Sequence, residues 1–282
     1  MSEFQYYEFQ AIDRPLSERE MRILRSFSTR ERITPTSFVN DYRWGDFRGN
    51  ENAWMEKFFD AFYYSSNWGA RTFMLRLPSK LIDLKAARRY CPGEWVSVHS
   101  KKGRIVLTFA VAFETGEGLD TGEGWLSSLV PLRADIARGD FRALYLGWLY
   151  LVQSGSIKPG VFEPPVPSGL GQLTASLRSL VEFFRLDRGL ITVAASASEP
   201  IGSLLLTSKE LRARIAAVPV AAKNKLLVKL IDGEGGDGVN SVLREFTKKH
   251  NLGMKHVGTN LKRRTVAQLL RSTKAQSSSA LP

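Results

Sequence analysis

The chain has 282 residues, with 40 Lys/Arg against 28 Asp/Glu and a formal net charge of +12. Hydrophobic content of 43% and aromatic content of 11% exclude a disordered chain and supply one large core or two modest ones. Cys91 is the single cysteine, which excludes an intramolecular disulfide and a Cys-based zinc site within one chain.

Residues 4–12 (FQYYEFQAI) are aromatic and roughly alternating, a strand pattern. Ser17 and Glu20 have capping-box spacing, with Leu16 and Met21 as the hydrophobic staple, so a helix is expected over 18–27. Residues 32–44 read as a strand broken by Pro35, and 46–52 as a polar loop. Trp54, Phe58, Phe59 and Phe62 share one face of a helix expected over 53–64. A strand follows at 71–77, then a helix from Ser79 to about Tyr90, stopped by Cys91-Pro92-Gly93. Residues 95–99 and 104–113 form a hairpin around Lys101-Lys102-Gly103, and 116–124 (GEGLDTGEG) an acidic loop.

After Trp125 the pattern turns helical, with helices expected over 126–138, 140–152, 172–186, 187–197, 209–218, 220–231 and 239–250. Thr265 and Gln268 open a short last helix with a second capping box. Residues 233–238 (GEGGDG) read as a hinge. The stretch 143–153 is apolar but far short of the ~20 residues of a membrane helix, so it reads as a buried helix. The fold class expected is α+β: an N-terminal mixed sheet with helices, followed by an all-α C-terminal region. Four prolines and three glycines in 159–171 mark a linker. It divides an aromatic-rich domain over 1–158 from a helical basic region over 172–274, with a disordered tail at 275–282. The MSEFQYYEFQ terminus is no secretory signal, and a cytoplasmic protein is expected.

The blocks YYEFQAIDRPLSEREM (6–21) and ITPTSFVNDYRWGDF (33–47) resemble the opening of a family of bacterial cytosolic proteins without an established activity. The resemblance extends through PPVPSGLGQL (164–173) and RRTVAQLL (263–270). It implies no functional residue.

The strongest functional signal is charge. Residues 201–282 hold fifteen Lys/Arg and five Asp/Glu, a net of +10, against a net of +2 for residues 1–200. Leu226, Leu227, Leu230 and Ile231 form one helical stripe, with Lys225 and Lys229 a turn apart on another face. Val242, Leu243 and Phe246 repeat this beside Arg244 and Lys248, followed by Lys249, Lys255, Lys262, Arg263, Arg264 and Arg271. A buried stripe with cations in front suits an anionic partner, an acidic protein surface or a nucleic-acid backbone. The alternative is a solvated basic surface.

A second candidate is the loop carrying Arg43, Trp44, Asp46 and Arg48, since exposed Trp and Arg make good binding residues. Asp41 with Asp46, or Cys91 paired with His99, allows a hydrolytic reading, but a locally paired loop and an incidental cysteine are the plainer ones. His250 and His256 lack two further ligands for zinc. No nucleophile elbow, phosphate loop or dinucleotide fingerprint is present, so neither cofactor nor metal is expected. The reading is a non-enzymatic adaptor or regulatory subunit docking an acidic partner. Nucleic-acid binding, as in a DNA-associated or antiviral-defence complex, is the alternative.

Overall fold

The computed structural model describes residues 4–27, 31–43, 47–113, 122–200, 208–231 and 263–279. The expected hinge at 233–238 and helix at 239–250 lie outside them, as does most of the acidic loop. The N-terminal half is a seven-stranded sheet: β1 (Gln5–Gln10), β2 (Arg32–Thr34), β3 (Ser37–Tyr42), β4 (Ala61–Ser66), β5 (Ala70–Pro78), β6 (Val96–Lys101) and β7 (Arg104–Ala112). Its order is β2-β3-β1-β4-β5-β7-β6, and every pairing is antiparallel, so the sheet is not mixed. The α+β class holds, with the helical region following the sheet.

Both faces of the sheet are covered, and strand alternation explains the aromatic density. Tyr7, Phe9, Phe62 and Met74 face one buried cluster with Phe38, Trp54 and Phe59. Phe9 sits 4.4 Å from Phe62 and 5.2 Å from Trp54, ring centre to ring centre. Helices α1 (Glu18–Arg25) and α2 (Glu51–Lys57) cover this side. Ser17 caps α1 with Glu20 in the expected box, and Asn50 caps α2 by accepting the Ala53 N–H at 2.8 Å. Tyr6, Tyr63, Phe73, Leu75, Leu107 and Phe109 face the opposite cluster, under the C-terminal helices.

Three expected helices differ from those observed. The one over 53–64 ends at Lys57, and Ala61–Ser66 is instead β4 between β1 and β5. Asp60 decides the crossover: its carboxylate accepts the Ile12 and Asp13 N–H groups and the Arg76 guanidinium, which ties the turn to both neighbouring strands. The helix expected after Ser79 is a 3-10 turn (Ser79–Leu81) and a single turn α3 (Leu84–Ala87), because Asp83 caps the Ala86 N–H and restarts the chain. Residues 126–138 divide into α4 (Trp125–Leu129) and α5 (Pro131–Ala137), with Pro131 opening the second.

Helix α6 (Arg142–Gln153) is buried on nearly all sides, and among the described residues no helix is long and apolar enough to cross a membrane. Gly147 allows its close approach to the sheet, since a Cβ there would lie 3.0 Å from Val96 Cγ1 and 3.3 Å from the Phe109 ring. Helix α7 (Ala175–Phe184) drives Phe183 and Phe184 toward Tyr63 and Phe109, and α8 (Arg188–Ala195) follows. Helices α9 (Ser208–Ala217) and α10 (Val220–Ile231) are separated at Pro219, and α11 (Val266–Ser279) returns to pack on α8.

One buried cluster takes side chains from both sides of segment 159–171, so that segment is not a free linker. Glu163, Pro164, Gly169 and Leu170 are buried within it, and the Pro165 carbonyl accepts the Tyr90 hydroxyl at 2.7 Å. Helix α11 also continues through Ser279, beyond residue 274 where a disordered tail is expected. Ser272 and Thr273 turn their hydroxyls back to the Gln268 and Leu269 carbonyls, which lets polar residues stay in the helix.

Candidate binding surfaces

Helix α10 carries the part of the basic region that the structure describes most fully. Lys225 is exposed, as is Arg271 on α11. Lys229 lies in α10, while Arg244, Lys248, Lys249, Lys255 and Lys262 fall outside the described residues. Of the expected stripe, Leu227 is 54% and Ile231 81% exposed and Leu226 is half-buried, and Val220 and Val228 on the same helix are exposed as well. Polar partners do not explain this arrangement. Lys223 reaches back to the Ile215 carbonyl at 3.3 Å, joining α9 to α10 but covering none of those side chains.

Arg263 and Arg264 both have hydrogen-bond partners within the fold. The Arg264 guanidinium meets both oxygens of Glu163, at 2.8 and 2.9 Å, and also donates to the Val193 carbonyl. Arg263 donates twice to the Glu163 carbonyl and lies over the Phe162 ring. Tyr145 donates its hydroxyl to Glu163, and burial, followed by that carboxylate, pushes the phenol well above its ordinary range. Arg264 is structural because the acid it neutralises is buried, whereas Arg263 is exposed and donates to the Glu163 backbone carbonyl. Their partner lies 101 positions away in the chain for Arg264, which a local charge count does not see.

In the second candidate loop, Arg43, Arg48 and Asp41 are exposed, while Trp44 and Asp46 lie outside the described residues. The ring that anchors the loop is Phe47, stacked on Tyr7 at 4.7 Å and edge-on to Trp54 at 4.9 Å. Burial pushes the Cys91 thiol up to about 12, so it is not a thiolate near neutral pH. His99 is exposed on β6, and His250 and His256 are outside the described residues. Among the described residues no three His, Cys, Asp or Glu side chains come together as a metal site.

The structure also assembles a groove of about 900 Å³ between α2 and the β6–β7 hairpin. Its floor holds Arg76, Val106 and His99, one wall holds Glu56 and Lys57, and Arg14, Lys101, Lys102 and Arg104 ring it. Lys102 and Gly103 make the hairpin turn with φ of 48° and 73°, the left-handed pair that a two-residue turn needs. Six lining residues are cationic and one, Glu56, is acidic. The sequence signal for this site is weak, because its residues come from positions 14, 52–57, 76 and 99–106. Comparison with known protein families, with curated proteins and with solved structures gives no match for this chain.

Proposed function

We propose that the chain is a binding protein, an adaptor or regulatory subunit of a bacterial cytoplasmic complex, which docks an acidic protein surface through its basic C-terminal third. The observation that carries this reading is the surface of α10, where exposed Leu227, Val228 and Ile231 stand on the same helix as Lys225. Protein partners bury apolar side chains at the centre of an interface and place charges around them. A phosphate backbone uses the cations but leaves the apolar side chains in water, so a protein partner fits better than nucleic acid. The net charge of +10 over 201–282 adds long-range attraction to an acidic surface.

The experiment is a pull-down from the native cell with and without nuclease, followed by titration of the purified partner against wild type, Leu227→Asp and Ile231→Asp. Both side chains are exposed, so the variants keep the fold. Saturable one-to-one binding that survives nuclease, weakens with salt and falls at least tenfold in both variants supports the reading. Recovery of nucleic acid alone, or a partner indifferent to both substitutions, overturns it.

A further inference from the structure

We propose that the groove between α2 and the β6–β7 hairpin binds a compact polyanion, a ligand carrying adjacent phosphate groups. The site is independent of the α10 surface. Its about 900 Å³ lies within the range of small-molecule sites. Its cations come from three separate parts of the chain: Arg14 before α1, Lys57 at the end of α2, and Lys101, Lys102 and Arg104 on the β6–β7 hairpin. Beneath them Arg76 is 5% exposed and fully engaged, by Asp60 and the Glu56 carbonyl, which makes the floor rigid.

Arg14 and Arg104 can be recruited at low cost, while Lys101 stays paired with Glu56 at 2.7 Å. Arg14 pairs with Glu20 at 2.6 Å and Arg104 with Asp13 at 3.2 Å, both at the surface. Exposed pairs of this kind contribute about 0–1 kcal/mol. When Arg104 turns to a ligand, Asp13 keeps Arg133 at 2.6 Å. When Arg14 turns, Glu20 keeps the Ser17 N–H and hydroxyl. Neither move leaves a carboxylate without a partner. Arginine forks and lysine ammonium groups together match phosphate oxygens.

Two observations define the ligand. No Phe, Tyr or Trp lines the groove, so nothing there stacks on a base. Glu20, Glu56 and Asp13 pair with Arg14, Lys101 and Arg104 at the rim and oppose a polymer backbone running out of the groove. A short phosphate chain fits both, whether inorganic or on a nucleotide.

The test is calorimetric titration of the full chain with tripolyphosphate, ATP and AMP at low salt, for wild type, Lys102→Ala, Arg104→Gln and the pair Lys225→Glu/Lys229→Glu. The expected result is one site for tripolyphosphate and ATP of similar affinity, with AMP at least tenfold weaker. Lys102→Ala and Arg104→Gln each lose about tenfold, with melting temperatures unchanged, and the α10 pair binds as wild type. Absence of binding, equal binding in all variants, or loss in the α10 pair alone overturns the proposal. Displacement of tripolyphosphate by duplex DNA with affinity rising with duplex length also overturns it, because the groove is then part of a nucleic-acid track.

Discussion

Arg264 forks the carboxylate of Glu163, with Nε 2.8 Å from Oε2 and Nη2 2.9 Å from Oε1. Glu163 is only 3% exposed. Around this pair the backbone joins two distant segments: the Glu163 N–H reaches the Arg264 carbonyl at 2.8 Å, and the Val266 and Ala267 N–H groups reach the Val161 and Pro159 carbonyls. Glu163 and Arg264 thereby hold α11 against α8, where Val266 and Leu269 complete the core.

Arg264 is 23% exposed, so removing Glu163 leaves a part-buried cation without its counterion, at a cost below the ~3–5 kcal/mol of a fully buried one. Glu163→Gln therefore lowers the thermal midpoint and strips hydrogen-exchange protection from the Leu269 amide, which bonds to the Thr265 carbonyl. The double variant Glu163→Leu/Arg264→Met removes both charges and is milder than Glu163→Leu alone. Calorimetry on the three proteins, with exchange mass spectrometry on the last helix, checks this. A double variant less stable than the single one contradicts it.

A fragment ending at Gly160 is expected to aggregate. It lacks α7, whose Phe183 and Phe184 pack 6.4 Å from Tyr63, 6.0 Å from Phe109 and 4.9 Å from Tyr150. Their loss opens an apolar face of the core to water. A fragment ending at Pro200 keeps that cover, and with Glu163→Gln it carries no unpaired buried carboxylate. Solubility and the cooperativity of the melt compare the two. A soluble, cooperative shorter fragment shows that the sheet half is complete without α7.

These relationships set what the sequence could reveal. The capping boxes at Ser17/Glu20 and Thr265/Gln268 were legible because each is closed within three residues. The strands at either end of the Lys101–Gly103 turn were legible for the same local reason. The boundary between α2 and β4 was not, because Phe58, Phe59 and Phe62 satisfy helical spacing, while Asp60 is decided by Arg76, sixteen positions on. Proline and glycine in 159–171 signalled a break in regular structure, which is present, but not that the segment is buried. Charge counting placed Arg264 on the surface, since nothing near it in the chain announces Glu163. The groove was invisible because no two of its walls are neighbours in sequence.

Asp60 and Arg76 form the second buried pair, with 0% and 5% exposure and 2.7 Å between Oδ1 and Nη2. Asp60→Asn leaves Arg76 charged and buried without its counterion, so it is expected to cost about 3–5 kcal/mol at neutral pH. The two Asp60 amide contacts and Arg76, set against burial, hold its carboxyl below the ordinary value of 3.8. A carboxyl lowered by folding stabilises above its unfolded value, and that contribution is lost as pH falls through the folded one. The stability gap between wild type and Asp60→Asn is therefore widest near neutral pH and narrows in acid. Denaturant titrations at pH 7 and in strong acid measure it, and a gap that does not change with pH contradicts the assignment.

The last prediction concerns Glu20. Its carboxyl is pushed down from 4.5 to about 2, chiefly by the Arg14 hydrogen bonds and then by the Ser17 N–H and hydroxyl of the capping box. The folded value is the lower one, so the contribution is fully present above pH 4.5 and disappears as pH falls toward 2. Arg14 is exposed, and solvent screening reduces the pair to about 0.5–1 kcal/mol. Glu20→Gln keeps a capping side chain but removes the charge. It should lower stability by that amount at pH 7 and flatten the slope of stability between pH 4.5 and 2. The same substitution releases Arg14 toward the groove, so it should tighten tripolyphosphate binding while weakening the fold. Parallel melting and calorimetric titrations read the two effects in one variant. If Glu20→Gln weakens both, Arg14 is held by the helix cap and takes no part in the groove.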